Sequence, residues 1–342
     1  MTTFFMIGVA DKIKNNKIVG IGKLINWNRC LNHLRKIHKS DESLAGGQVP
    51  YDRLKMFKSI LLQQWHSLSD EQLVEALSVR VDFMAFTGFE LADELPNAST
   101  FCRFRNKLIE RNLDERLFKE INFQIEKLGL KLEKAQCAIV DATLIESASR
   151  PRRTIIIEND REESLDKKEN LNVKIEESKD PDARWVKKGK KFHFGYKGFA
   201  SVDEEGFYTE LHTESANESE VNKLEKVTKE IKAKNLLADK GYASAKNREY
   251  LKVIGVKDGI MHKAVINKPL TIEQKLINKV ISKNRYRVEQ SFGTLKRIFK
   301  FERASYRTKR KVQAQFILKA LCSNLLKAIN KVLLQEVVPI GT

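Results

Sequence analysis

The run CAIVDATLI, residues 137–145, is where the character of this chain changes. Upstream, from Tyr51 to about Leu130, apolar residues recur at helical spacing. Near Lys134 the period shortens, and the compact β-branched run reads as a buried strand ending in polar residues. Beyond it, KFHFGYKGFASVD (191–203) and FYTELHTES (207–215) alternate in polarity about Glu204–Gly206, which predicts a hairpin. ESEVNKLEKVTKEIKA reads as helix, NLLADKGYA (235–243) as a short strand broken by Gly241, and AKNREYLKVIG as helix. GIMHKAVI reads as strand, and a long helix begins near Thr271. Strand, strand, strand, helix, strand, helix, strand, helix is the order of an α/β layer with a mixed sheet. Residues 150–182 are charged and poor in apolar side chains, so they read as an exposed loop or a disordered insertion.

Working back towards the N-terminus, YDRLKMFKSILLQQWHSL predicts one helix, and Ser69 with Asp70 caps a second, DEQLVEALSVRVDFMAF. A third, capped within Asn97–Ser99, covers TFCRFRNKLIERN and is expected to expose Arg103, Arg105 and Lys107. A helix pair followed by a capped basic helix resembles a helix-turn-helix, although the same packing occurs in proteins that touch no DNA. The expected division is an all-α N-terminal domain over 1–130 and an α/β domain over 131–342.

The net charge of +18 on 342 residues favours a polyanionic partner, through release of counterions from phosphates. The alternative is a basic protein whose lysines only keep it dissolved. With 42% hydrophobic residues the chain can build real cores, which excludes general disorder. Cys30, Cys102, Cys137 and Cys322 form no CxxC pair and suggest neither zinc nor a disulfide framework. No run reaches membrane-spanning length, and the N-terminal apolar stretch lacks a preceding basic segment. The expectation is a reduced, cytoplasmic, nucleoid-associated protein without a membrane partner.

Three acids stand out. Asp141 lies inside the apolar run, where a carboxylate is costly unless it is paired or binds metal. Asp239 follows NLLA at the carboxyl edge of a strand, where α/β sheets place their sites. Glu289 is the lone acid among the bases of SKNRYRVEQSFGTLKR (282–297), with Arg285 and Lys296 on its side of the helix. Each has a bland reading: a satisfied core acid, a turn cap, one i,i+4 ion pair on a solvated face. Together, if the two strands are neighbours and the helix crosses them, they offer hard oxygen ligands suited to Mg²⁺ or Mn²⁺.

These stretches resemble those of DDE transposases of bacterial insertion sequences, in the branch called the IS-five family, over nearly the whole chain. LLQQWHSLSDEQLVEAL and LPNASTFCRFRNKL resemble the family's helical N-terminal domain. VDATLIES, ADKGYAS and RYRVEQSFGTLKR resemble its three acid-bearing motifs, and NLLKA (324–328) its terminal helix. DPDARWVKKGKKFHFGYKGFASVD resembles the hairpin that follows the first. The resemblance implies an RNase H-like mixed β-sheet flanked by helices. Asp141, Asp239 and Glu289 would be catalytic metal ligands, and Arg285 and Lys296 would hold phosphates. It further implies binding of double-stranded DNA at terminal inverted repeats, cleavage, joining of the 3′-OH to target DNA, and a homodimer in the synaptic complex. Lys187, Lys188, Lys190 and Lys191, and also Arg307, Lys309, Arg310 and Lys311, are backbone-contact candidates or else solvated faces. The sequence departs from the family at Ser282, where Tyr is usual, at Asn97, where Asp is usual, and at Phe199, where His is common. A metal-dependent nuclease that does not join, or a non-catalytic DNA-binding descendant, are the alternatives.

Overall fold

The computed structural model describes residue 13 and residues 15–38, 50–151, 154–158, 172–176 and 178–337. The N-terminal part is helical: α1 (Lys17–Leu24), α2 (Trp27–Leu34), α3 (Arg53–His66), α4 (Asp70–Val79), α5 (Val81–Thr87), α6 (Ala98–Glu110) and α7 (Leu113–Lys127). Short polar side chains start these helices by taking up orphan amides. Asp52 accepts from Leu54 and Lys55, Ser69 and Gln72 form a reciprocal capping box, and Asn97 accepts from Thr100. DEQLVEALSVRVDFMAF, expected as one helix, is two. Arg80 leaves helical space between them, at φ −94° and ψ 113°, and its guanidinium bonds Asp82 in the first turn of α5. The break lets Leu73 and Leu77 of α4 and Phe83 and Phe86 of α5 enter one core from two directions.

The remaining strands are β1 (Ala135–Glu146), β2 (Thr154–Glu158), β3 (Asn172–Glu176), β4 (Arg184–Lys188), β5 (Lys191–Asp203), β6 (Tyr208–Ser215), β7 (Ala233–Ala238) and β8 (Lys257–Ile260). They are joined by helices α8 (Ala245–Val253), α9 (Ile272–Arg297) and α10 (Lys309–Val337). The main sheet has the order β4-β5-β1-β7-β8, with β6 also paired to β5. β1 runs antiparallel to β5 and parallel to β7, and β7 is parallel to β8, so the sheet is mixed.

Three segments differ from expectation. ESEVNKLEKVTKEIKA forms two short 3-10 turns, Glu220–Asn222 and Glu225–Val227, in place of a helix. Lys223 and Lys226 are both drawn to the carboxylate of Glu214, while Leu224 and Val227 are fully buried under the sheet. GIMHKAVI is strand only to Ile260; the amide of Met261 closes the ladder on Ala238, and the backbone of His262 then bonds the side chain of Asn278. Within 150–182, read as loop, β2 and β3 pair antiparallel, in keeping with the β-branched run TIIIE. Residues 152–153, 159–171 and 177 of that insertion lie outside the described residues.

Helix α10 joins the two parts. Val312, Phe316, Leu318, Leu321 and Leu325 are almost fully buried, in one apolar cluster with Phe57 and Leu61 of α3 and with Tyr208 of β6. At about 1.5–3 kcal/mol for each large side chain buried, their sum rivals the whole net stability of a domain, about 5–15 kcal/mol. Lys319, 2% exposed, sits inside this cluster and donates to Gln64 O, Ser67 Oγ and Phe299 O at 3.1, 2.9 and 2.6 Å. Buried Asn324 brackets the backbone of Tyr208, accepting from its amide and donating to its carbonyl, both at 2.9 Å. Among the described residues no helix is long and apolar enough to cross a membrane.

Candidate active site

The register of β1 with β7 sets the geometry. Val140 is paired with Ala238 in parallel, so Asp141 and Asp239 follow at the same level. Because side chains alternate along a strand and match across a parallel pair, both carboxylates leave the same face of the sheet. That face is covered by α9, which begins at a capping box of Thr271 and Gln274. The inward stripe of α9 is Ile281, Arg285, Val288, Phe292 and Leu295, the 3.6-residue spacing of an amphipathic helix with one cation in it.

Arg285 occupies that apolar stripe because it meets the two acids. Its guanidinium lies 2.9 Å from Asp141 Oδ2 and 3.5 Å from Asp239 Oδ1, and the residue is 8% exposed. The amide of Ala142 donates to Asp141 Oδ1 at 2.9 Å, and that of Lys240 to Asp239 Oδ1 at 2.7 Å. Burial pushes the Asp141 carboxyl up to about 6; Arg285 and the Ala142 amide work against this, while the charges of Glu220 and Asp239 add to it. Two anions near one guanidinium leave the pair under-neutralised. Arg285 Nε, moreover, is buried without a hydrogen-bond partner among the described residues.

Glu289 stands apart. Four residues after Arg285 it is about 6 Å further along the helix and turned by about 40°, and it is exposed. Among the described residues no group of three or more His, Cys, Asp or Glu is arranged to hold a metal ion. Thus the structure brings together Asp141 and Asp239 with Arg285 between them and leaves Glu289 outside. Arg285, expected to hold DNA phosphates, is engaged by the aspartates. Two adjacent carboxylates remain a fitting donor set for a hard divalent ion, which typically takes one or two carboxylates and completes its shell with water and phosphate oxygens.

Sequence reasoning missed Glu220. Its charge acts on both Asp141 and the buried Tyr242, and Lys197 Nζ lies 3.5 Å from its carboxylate. A Cβ on Gly241 would stand 2.5 Å from Glu220 Oε2, so the glycine of ADKGYA makes room for this acid beside the turn that carries Asp239. The glycine was the available signal; it reads locally as no more than a strand breaker.

The cations are distributed unevenly. Lys296 is half-buried at the last turn of α9; burial and the nearby charge of Lys188 lower its pKa, so the tip between β4 and β5 reaches this end of the helix. Lys187, Lys188, Lys190 and Lys191 are exposed around Gly189, which has φ +61°. On α6, Arg103 is exposed and Lys107 half-buried. The expectation that Arg105 is presented to DNA is corrected: it is 5% exposed and forms a two-pronged ion pair with Asp70 at 2.7 and 2.9 Å. It belongs to the face of α6 turned to α4, so its charge closes a helix contact. Arg310 likewise binds fully buried Asp114 at 2.6 and 2.8 Å, and Lys309 bonds Glu214 at 3.0 Å, whereas Arg307 and Lys311 are exposed.

Residues 133–325 match the family described as Transposase DDE domain, and residues 9–107 match one described as Transposase domain (DUF772). The chain is 43% identical over 236 residues to the transposase for insertion sequence element IS1106 of Neisseria meningitidis serogroup B, covering 69% of this chain and 80% of the relative. Among solved structures it is similar to the piggyBac transposase in a synaptic complex with hairpin DNA, at a TM-score of 0.48 and 10% identity, over 97% of this chain and 78% of that one. With the family match spanning more than half of its length and taking in both aspartates, Arg285 and Glu289, the chain belongs to the DDE transposases.

Proposed function

We propose that this protein is the transposase of a bacterial insertion sequence, of the IS-five branch, with an RNase H-like catalytic domain over 131–342 and a helical DNA-binding domain over 1–130. In this reading it binds double-stranded DNA at terminal inverted repeats, cleaves the ends and joins the 3′-OH to target DNA, as a homodimer in the synaptic complex. The observation that carries the proposal is the Asp141–Arg285–Asp239 constellation on two parallel neighbouring strands, Asp141 within β1 and Asp239 just past the end of β7, on a chain of net charge +18.

Asp141 and Asp239 would hold Mg²⁺ or Mn²⁺, with Glu289 as the third ligand once DNA is engaged. The bound metal supplies Lewis acidity to the phosphoryl group and lowers the pKa of water. The chain's own part is positional and electrostatic. Arg285 screens the two aspartates until a phosphate competes for its guanidinium, a planar fork suited to phosphate oxygens. Lys296 and the Lys187–Lys191 tip, which come near each other at the end of α9, would track the backbone. Arg103 is the exposed member of the expected end-recognition set. No covalent protein intermediate is required for in-line phosphoryl transfer.

The test is a cleavage and strand-transfer assay on duplex carrying the element's own ends, with Mg²⁺. The Asp239→Asn protein is expected to lose both reactions by at least about 10³-fold, an effect of the size seen when a group stabilising transition-state charge is removed. It should bind the ends as the parent does. Undiminished cutting by Asp239→Asn would overturn the assignment, and cutting without joining by the parent would reassign it as a nuclease.

A further inference from the structure

Strands β4 and β5 extend past the sheet as a ribbon closed by Gly189 and Lys190. Trp185 pairs with Phe194, Lys187 with Phe192, and Lys188 with Lys191. Alternation places Trp185, Lys187, Phe192 and Phe194 on one face and Val186, Lys188, Lys191 and His193 on the other. The first face is unequal along its length. Phe194 is 6% exposed and belongs to the core, whereas Trp185 is 44% and Phe192 65% exposed. The Trp185 ring leans on Phe194, with centroids 5.3 Å apart, and Lys187 Nζ lies 5.5 Å from the Phe192 ring.

This aromatic face is continuous with the catalytic one. Phe192, Phe194, Tyr196, Gly198 and Ala200 alternate down one side of β5, and Ala200 is the cross-strand partner of Asp141. Eight residues separate Phe192 from Ala200, about 27 Å at the rise of an extended strand. The ribbon's other face carries Lys188, whose charge is felt by Lys296 at the end of α9.

Flat rings left in water beside the ammonium of Lys187, at a tip that also carries Lys190, match one kind of ligand: a base with an open π-face on a phosphate backbone. Bases inside a duplex hide those faces in the stack. Building on the reading of DNA as substrate, we propose that Trp185 and Phe192 form a stacking site for unpaired nucleotides next to the DNA being processed, with Lys187 and Lys190 holding the phosphates of that strand.

Trp185 is a built-in reporter, since Trp27 is buried and Trp65 half-buried among the chain's three tryptophans. The full chain would be titrated with two duplexes carrying the same end, one blunt and one with a tail of unpaired thymines. Expected are quenching of Trp185 emission by the tailed duplex and tighter binding of it. Phe192→Ala and Trp185→Ala should each reduce the ratio of tailed to blunt affinity about tenfold. Phe192→Leu, which keeps apolar bulk without a flat ring, should lose it too, and Phe192→Tyr should retain it. An affinity ratio unchanged in Phe192→Ala, or equal quenching by both duplexes, overturns the stacking site while leaving the transposase reading intact. Emission that changes with protein concentration alone also overturns it, because a second copy then covers the face. Failure of the parent to bind either duplex removes the reading on which the proposal rests.

Discussion

Arg285 is the residue on which the site turns. It lies in an apolar stripe, and its guanidinium is the cation that touches both Asp141 and Asp239. Removing one member of a buried ion pair leaves an uncompensated charge and costs about 3–5 kcal/mol, against little or no gain from the pair itself. Arg285→Ala should therefore destabilise the protein by about 3 kcal/mol without divalent metal, and millimolar Mg²⁺ should recover part of the loss by entering between the freed carboxylates. Thermal unfolding with Mg²⁺ and with a chelator measures both. A variant as stable as the parent under chelation would show that the aspartates do not need the guanidinium.

The pairing of β1 with β5 fixes where the first aspartate stands, and Gly195 permits that pairing. A Cβ there would lie 2.2 Å from Ile145 O and 2.7 Å from Ser147 N, both backbone atoms of the neighbouring segment. Neither can step aside without breaking the register that places Asp141 opposite Ala200. Gly195→Ala is expected to cost about 3 kcal/mol, the upper part of the range for overpacking. By contrast, Gly189→Ala at the ribbon tip meets no neighbouring atom and loses only the ease of a positive φ, about 1 kcal/mol. Denaturant midpoints of the two variants should differ accordingly. Equal midpoints would mean that the strand pairing tolerates a local shift.

At the scale of the whole molecule, α10 ties the helical part to the sheet, and Lys319 is the charged residue within that tie. Burial lowers its ammonium from 10.5 to about 8. A lysine whose folded pKa is depressed binds fewer protons in the native state than in the unfolded one between those two values. Stability from this group therefore rises as pH climbs from about 8 to 10.5, by up to about 3 kcal/mol, and is flat below 8. The free energy of unfolding of the parent relative to Lys319→Met should increase over pH 8–10 and stay constant over pH 6–7.5. A constant difference across the full range would mean that the ammonium stays charged in the fold. The same tie implies that 1–130 and 131–342, proposed as two domains, share apolar surface through α10 and would each expose it if separated.

Short-range physics made much of this legible from the sequence. The caps at Ser69 and Asn97, the change of period at CAIVDATLI, the turn at Glu204–Gly206 and the long helix from Thr271 depend on neighbours within a few residues, and the structure has each in place. Asp141 inside an apolar run and Asp239 at the end of a strand were visible for the same reason. What the sequence could not determine is which charges meet. Arg103, Arg105 and Lys107 look alike on paper, yet the partner of Arg105 comes from α4 and sits 35 residues away. Glu289 and Arg285 share one side of one helix, and only its packing angle against β1 and β7 turns the arginine inward and leaves the acid in solvent. Glu220 reaches the site through two tight turns that the polarity pattern mistakes for helix. Ion pairs and burial are set by long-range packing, whose geometry no local spacing encodes; the tertiary structure alone decided them.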